Sequence, residues 1–213
     1  MQEFIDKYAE KLGIAILQHI GYVLVSVGIA VVIALVLAGV LSRYRKAAGF
    51  ILPVISVFQT VPGIVFIGLL MLKFGMTQFT VVLALSIYAI FPILKNAYQG
   101  FVEVEAGIIE VAQGCGMNRK QIFFQVELPL AMPAIFSGVR MSLIYTVSWA
   151  TLAAIIGLGG LGDFIYQGVS SNNDALILAG AIPAAIMAVV LGKLIDRLQI
   201  AVTPRGLRKG GAK

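Results

Sequence analysis

Apolar residues do not alternate along this chain. They gather in long runs without a charge, at 20–42, 47–72, 74–94, 141–162 and 175–192. A helix rises 1.5 Å per residue, so runs of about 20 residues match a hydrocarbon layer of about 30 Å. The pattern predicts five membrane helices, over 20–42, 51–72, 76–97, 130–157 and 175–196. Pro62, Pro92, Pro133 and Pro183 each interrupt one of these helices, and such kinks make pivots or re-entrant backbone. Ahead of the first run, Phe4, Tyr8, Leu12 and Ile16 recur every fourth position. That spacing predicts a short interfacial helix within 1–19, with a frayed polar tail as the open alternative.

Composition sharpens the class. Of 213 residues, 60% are hydrophobic and 12% charged, against roughly a quarter charged in a soluble domain. A globule of this size has no room to hide five such runs behind a polar skin. The first 19 residues carry Glu3, Asp6, Lys7, Glu10 and Lys11 and lack a continuous apolar stretch, unlike a cleaved signal peptide. No repeat and no linker divides the chain, so 1–213 reads as one all-α membrane domain.

Charge sets the expected orientation. With the N-terminus outside, thirteen of the 16 Lys and Arg residues, from Arg43 to Lys213, face inward, and Lys7, Lys11 and Lys73 face outward. The net charge of +6 is then the basic inner face of a membrane protein, attracted to anionic lipid, and needs no nucleic-acid partner. The tail 203–213 reads as solvated and cytoplasmic.

The cytoplasmic connection from Lys95 to Leu128 is longer than two neighbouring helices need. Within 100–128, Ala106, Ile109 and Ala112 form one stripe of a short helix that Gly114 and Gly116 terminate. A second short helix is expected over "NRKQIFFQVE", with Ile122, Phe123 and Val126 on its apolar side. Arg119, Lys120, Gln121 and Gln125 lie on its wet side, and Leu128-Pro129 ends it. The product is a stiff amphipathic knob whose tip carries the small residues Ala112, Gly114, Cys115 and Gly116. It either receives force from a cytoplasmic partner or merely shields the inner ends of the spans.

Other chemistry is sparse. Lone Cys115 excludes an internal disulfide and a multi-cysteine metal site, and lone His19 reads as packed or interfacial. "GLGGLG" at 157–162 has the Gly-x-Gly-x-x-Gly spacing but lacks a preceding strand, so it reads as an outer turn, with the polar residues from Asp163 to Asp174 completing an outer loop. No phosphate-binding Gly-x-x-x-x-Gly-Lys-Ser/Thr occurs, so any ATP and Mg belong to a partner chain and none of the residues is assigned a catalytic role. Gln59, Thr60, Tyr145, Thr146 and Trp149 are polar or aromatic residues inside spans and candidates for a solute path, against the plainer reading of helix packing. Tyr145 and Trp149 lie one turn apart, suited to a quaternary ammonium ion. Arg140 either snorkels to headgroups or meets an acid such as Glu127.

The knob resembles the "EAA" signature of permease subunits of ATP-binding-cassette importers: Glu-Ala-Ala, three residues, Gly, nine residues, Ile, one residue, Leu-Pro. Here Glu110-Val111-Ala112, Gly116, Val126 and Leu128-Pro129 keep that spacing, with Val111 and Val126 as apolar departures. "VFQTVPGIVFIGLLM", "YAIFPILKNAYQG", "WATLAAIIGLGGLGDFIYQG" and "TPRGLR" further resemble permeases of osmoprotectant importers for glycine betaine, carnitine and choline. The resemblance implies a type I importer permease in a bacterial cytoplasmic membrane, binding no cofactor itself. It also implies nucleotide-binding ATPase subunits docked on Glu110, Ala112, Gly114, Cys115, Gly116, Leu128 and Pro129, a second permease subunit, identical or related, and an extracytoplasmic substrate-binding protein. A permease for methionine or another small solute is the alternative, and a solute-release channel is the rival from another class.

Overall fold

A computed structural model describes residues 2–203, with side chains from Tyr8 onward. The tail beyond Thr203 and the side chains before Tyr8 lie outside the described residues, and with them the expectations placed on Phe4 and on 204–213. Among the described residues there are helices and turns and no strand: α1 (Gln2–Leu41), α2 (Arg45–Phe58), α3 (Gly63–Phe74), α4 (Gln78–Val102), α5 (Ala106–Gly114), α6 (Arg119–Ile122), α7 (Leu128–Ala150), α8 (Leu161–Ser170) and α9 (Asp174–Val202).

α4 is the central rod, packed between α1 and α7. Small residues let it sit close to both. Ala30, Ala34 and Ala38 on α1 are fully buried, one per turn on one face, the spacing by which membrane helices bring their backbones together. A Cβ on Gly138 of α7 would stand 2.9 Å from the Pro92 carbonyl oxygen and 3.1 Å from Ile93 Cα, so only glycine permits that approach. Hydroxyls add cross-links: Ser142 donates to the Ala89 carbonyl at 2.8 Å and Ser26 to that of Val82 at 3.3 Å. Each satisfies its own polar group where water is absent.

Four expectations change. The segment 1–19 is not a separate surface helix, because α1 runs unbroken for 40 residues. Its buried stripe extends from Ala15 to Leu41, so the same face that packs the span also holds the entry. The span predicted over 51–72 is two helices, α2 and α3, bent by 91° at Thr60–Pro62. Leu128-Pro129 does not end a helix. A π-turn over Phe123–Glu127, closed by the Leu128 N–H on the Phe123 carbonyl, carries α6 directly into α7. Pro129 follows directly on the π-turn as the second residue of α7, and the chain passes it without a break. Lastly, the polar loop expected after 157–162 contains α8. It folds tightly onto α9, since a Cβ on Gly168 would meet the Ile177 nitrogen at 2.6 Å and one on Gly180 the Leu161 oxygen at 2.6 Å.

The 157–162 stretch is the turn that the sequence suggested. Gly157, Gly159 and Gly160 have φ of 71°, 75° and 83°, left-handed values natural to glycine. One turn of α1 holds it. Gln18 Oε1 accepts from the Gly160 N–H at 3.2 Å, and Tyr22 donates to the Leu158 carbonyl at 2.9 Å. His19 is packed, with Nε2 on the Val147 carbonyl at 2.9 Å and Nδ1 facing the Leu161 N–H at 3.4 Å. Nearby in α8, burial pushes the Asp163 carboxyl above the usual range, opposed by Lys11.

Candidate functional site

The knob is a helix–turn–helix built from local rules. α5 ends in a Schellman arrangement: the Met117 N–H reaches the Ala112 carbonyl at 3.2 Å and the Gly116 N–H that of Gln113 at 2.9 Å. Gly116, at φ 77°, occupies the left-handed position that such a stop requires. Two residues later Asn118 starts α6 with a capping box. Its Oδ1 accepts from the Lys120 and Gln121 N–H groups at 3.1 and 3.0 Å, and Gln121 Oε1 accepts from the Asn118 N–H at 2.8 Å. A stop and a start locked back to back leave a rigid tip.

Gly114, Cys115 and Gly116 are exposed on that tip, and Val111 shows 68% of its surface beside them. Glu110 is exposed as well. Ala112 departs from expectation: it is buried at 6% exposure, on the inward side of α5, so it packs the knob and is not part of its outer face. Leu128 and Pro129 are half-buried at the start of α7. They belong to the stem of the knob.

The knob is fastened to the bundle at Phe123 and Glu127. The Phe123 ring lies 5.4 Å from that of Phe101 in the last turn of α4, and Gly39 on α1 leaves it space, with a would-be Cβ 3.3 Å away. Glu127, only 3% exposed, takes a two-pronged hold from Arg43. Nη1 donates to Oε1 at 2.8 Å, Nη2 pairs with Oε2, and the guanidinium carbon stands 5.8 Å over Phe123. A buried carboxylate without such a partner is strongly destabilising. Arg140, read as a possible mate for Glu127, instead meets Asp196 of α9 at 3.0 Å; both are about half exposed, so that pair contributes little. The sequence reading missed Arg43. Its signal is position: it follows the first apolar run directly, as Glu127 stands just ahead of the span predicted over 130–157.

Of the candidates for a solute path, Gln59 and Trp149 both touch Tyr88 and Tyr145 lies beside Trp149, whereas Thr60 and Thr146 stand apart. Gln59 donates to the Tyr88 carbonyl at 2.8 Å. Pro92, four residues on, has no N–H for that carbonyl, so Gln59 repairs the ladder of α4. Thr60 donates to Val57 and Thr146, fully buried, to Ser142, both within their own stretch of chain. Tyr145, 44% exposed, and Trp149 stay neighbours at 6.0 Å between rings, and Trp149 also leans on Tyr88 at 4.7 Å.

Comparison with known proteins places this architecture. The chain matches the family model described as binding-protein-dependent transport system inner membrane component over residues 30–207. It is 36% identical to the carnitine transport permease protein OpuCB of Listeria monocytogenes, covering 97% of this chain and 94% of that one. To the choline transport system permease protein OpuBB of Bacillus subtilis it is 36% identical over 90% and 88%. In fold it resembles a chain of the inward-facing MetNI methionine ABC transporter, with a TM-score of 0.81, 21% identity and coverage of 91% and 96%. A central apolar rod flanked by long helices, with a capped knob fastened at one end, is therefore the type I importer permease fold, and this chain belongs to the family of binding-protein-dependent transport system inner membrane components.

Proposed function

We propose that the chain is the pore-forming half of an ATP-driven importer of quaternary ammonium osmoprotectants such as glycine betaine, carnitine or choline. The relatives named for carnitine and choline, at 36% identity, favour that cargo over methionine, since the MetNI chain is 21% identical and speaks for fold alone. Two such subunits, identical or related, line the path. A binding protein delivers solute at the end carrying the glycine turn. ATPase subunits, which hold ATP and Mg, grip the knob in the cytoplasm.

The observation that carries this reading is mechanical. The knob is rigid at its tip, anchored to α1 and α4 at its base, and continuous with α7 through the π-turn. A partner that moves the tip therefore moves helices and does not merely deform a loop. Tyr145, with Trp149 beside it, is the best placed of the candidates to meet a cation on the path, through its exposed ring face.

The test uses the single cysteine. Cys115 is exposed, so a membrane-impermeant maleimide should label it in inside-out vesicles and not in right-side-out ones, and a crosslinker there should capture the ATPase. Gly116→Val strains the left-handed turn by about 1–2 kcal/mol. It should abolish betaine uptake in vesicles while the protein still inserts. Normal uptake by this variant, or labelling from the outside only, would overturn the coupling role.

A further inference from the structure

Beside the knob, a groove of about 740 Å³ runs between α1, α5 and α6. Its two ends differ in chemistry. Along α1 it is walled by Leu35, Val36 and Val40, the last two 63% and 50% exposed, and Phe123 and Phe124 close the opposite side. At its mouth stand Arg119 and Lys120, both exposed. Among the described residues neither side chain has an ion pair or hydrogen bond, because Glu127, the acid in the groove, is committed to Arg43. The mouth is thus doubly cationic and the trough apolar.

From Arg43 back to Leu35 the groove climbs about 12 Å along α1 at 1.5 Å per residue. Leu35 lies inside the apolar stretch Tyr8–Leu41, which is long enough to span a bilayer. A polypeptide arriving from water would have to thread backbone polar groups into hydrocarbon to fill that length, which is costly. An amphiphile faces no such cost. We infer that this groove is a binding site for an anionic phospholipid, whose phosphate sits between Arg119 and Lys120 while an acyl chain lies along Val40 and Val36 against Phe124. A zwitterionic headgroup leaves the cationic mouth uncompensated, so the site prefers a net negative lipid. The inference rests on the membrane reading of α1 and is independent of cargo and of ATPase coupling.

The experiment is native mass spectrometry of the purified full chain in nonionic detergent, titrated with phosphatidylglycerol or with phosphatidylcholine. Phosphatidylglycerol should stay bound and phosphatidylcholine should not. The double variant Arg119→Gln/Lys120→Gln should weaken phosphatidylglycerol binding roughly 30-fold. Val40→Trp fills the trough without altering charge and should also weaken it, which diffuse surface attraction does not predict. Both variants change exposed side chains, and an unchanged melting midpoint shows that they fold. A photocrosslinker at Val36 in cells should gain the mass of a phospholipid. Equal binding of the two lipids, indifference to either variant, or capture of an ATPase or a second copy at Val36 would each overturn the site. The assay uses neither nucleotide nor solute, so its outcome and that of the uptake test are separable.

Discussion

α4 and the α2–α3 pair are both apolar, yet one continues through Pro92 as a single helix and the other turns through 91° ahead of Pro62. α4 passes Pro92 without a break, and Pro92, Ile93 and Leu94 are all buried. One side chain mends the damage there: the Gln59 amide donates to the carbonyl of Tyr88, which Pro92 leaves without its helical donor. At Pro62 nothing restores the helical ladder. The buried residues of α2 and α3 are Ala48 and Ile67 alone. Val61 N–H falls back on Phe58 at 3.3 Å and the chain bends. Pro53 and Pro183 also sit inside unbroken helices, α2 and α9, so a proline alone does not break a helix, and the bend at Pro62 comes where the flanking helices bury little.

The contrast can be broken at four points. Gly138→Leu, which pushes a side chain into the backbone of α4, should cost about 3 kcal/mol or more and remove folded protein from a size-exclusion profile. Gln59→Leu orphans the Tyr88 carbonyl and should cost about 1–3 kcal/mol in thermal unfolding. Adding Pro92→Ala to it should recover most of that loss, because residue 92 then donates its own N–H; no recovery would show that Gln59 acts otherwise. Tyr88→Phe deletes the bond to the Val61 carbonyl, 2.6 Å long, and should cost about 1 kcal/mol while loosening the bend. Gly68→Ala in α3, where a Cβ meets nothing within 4 Å, should leave stability in thermal unfolding unchanged or raise it by up to about 1 kcal/mol.

Hydrocarbon makes the long helices legible, since a span has to be a continuous apolar run. The knob was legible because its stop and start use local chemistry, Gly116 at a left-handed position and Asn118 with Gln121. The continuity of α1 was hidden: an apolar residue every fourth position describes an interfacial helix and a protruding span equally well. α8 was hidden because Gly162 and Gly168 lower local helix propensity, and the helix exists through contact with α9. The pairing of Arg43 with Glu127 joins residues 84 positions apart, and no local pattern encodes a partner at that range. Ala112 carried two signals, a place on the apolar stripe with Ala106 and Ile109 and a small side chain suited to the tip, and its burial follows the stripe.

One more consequence lies in the π-turn. Because it joins α6 to α7 without a flexible joint, Arg119–Ile156 is a single strut of 38 residues, about 57 Å end to end. Swinging such a boom through about 5° sweeps its far tip by about 5 Å, enough to open or shut a passage for a small solute with no change inside the boom itself.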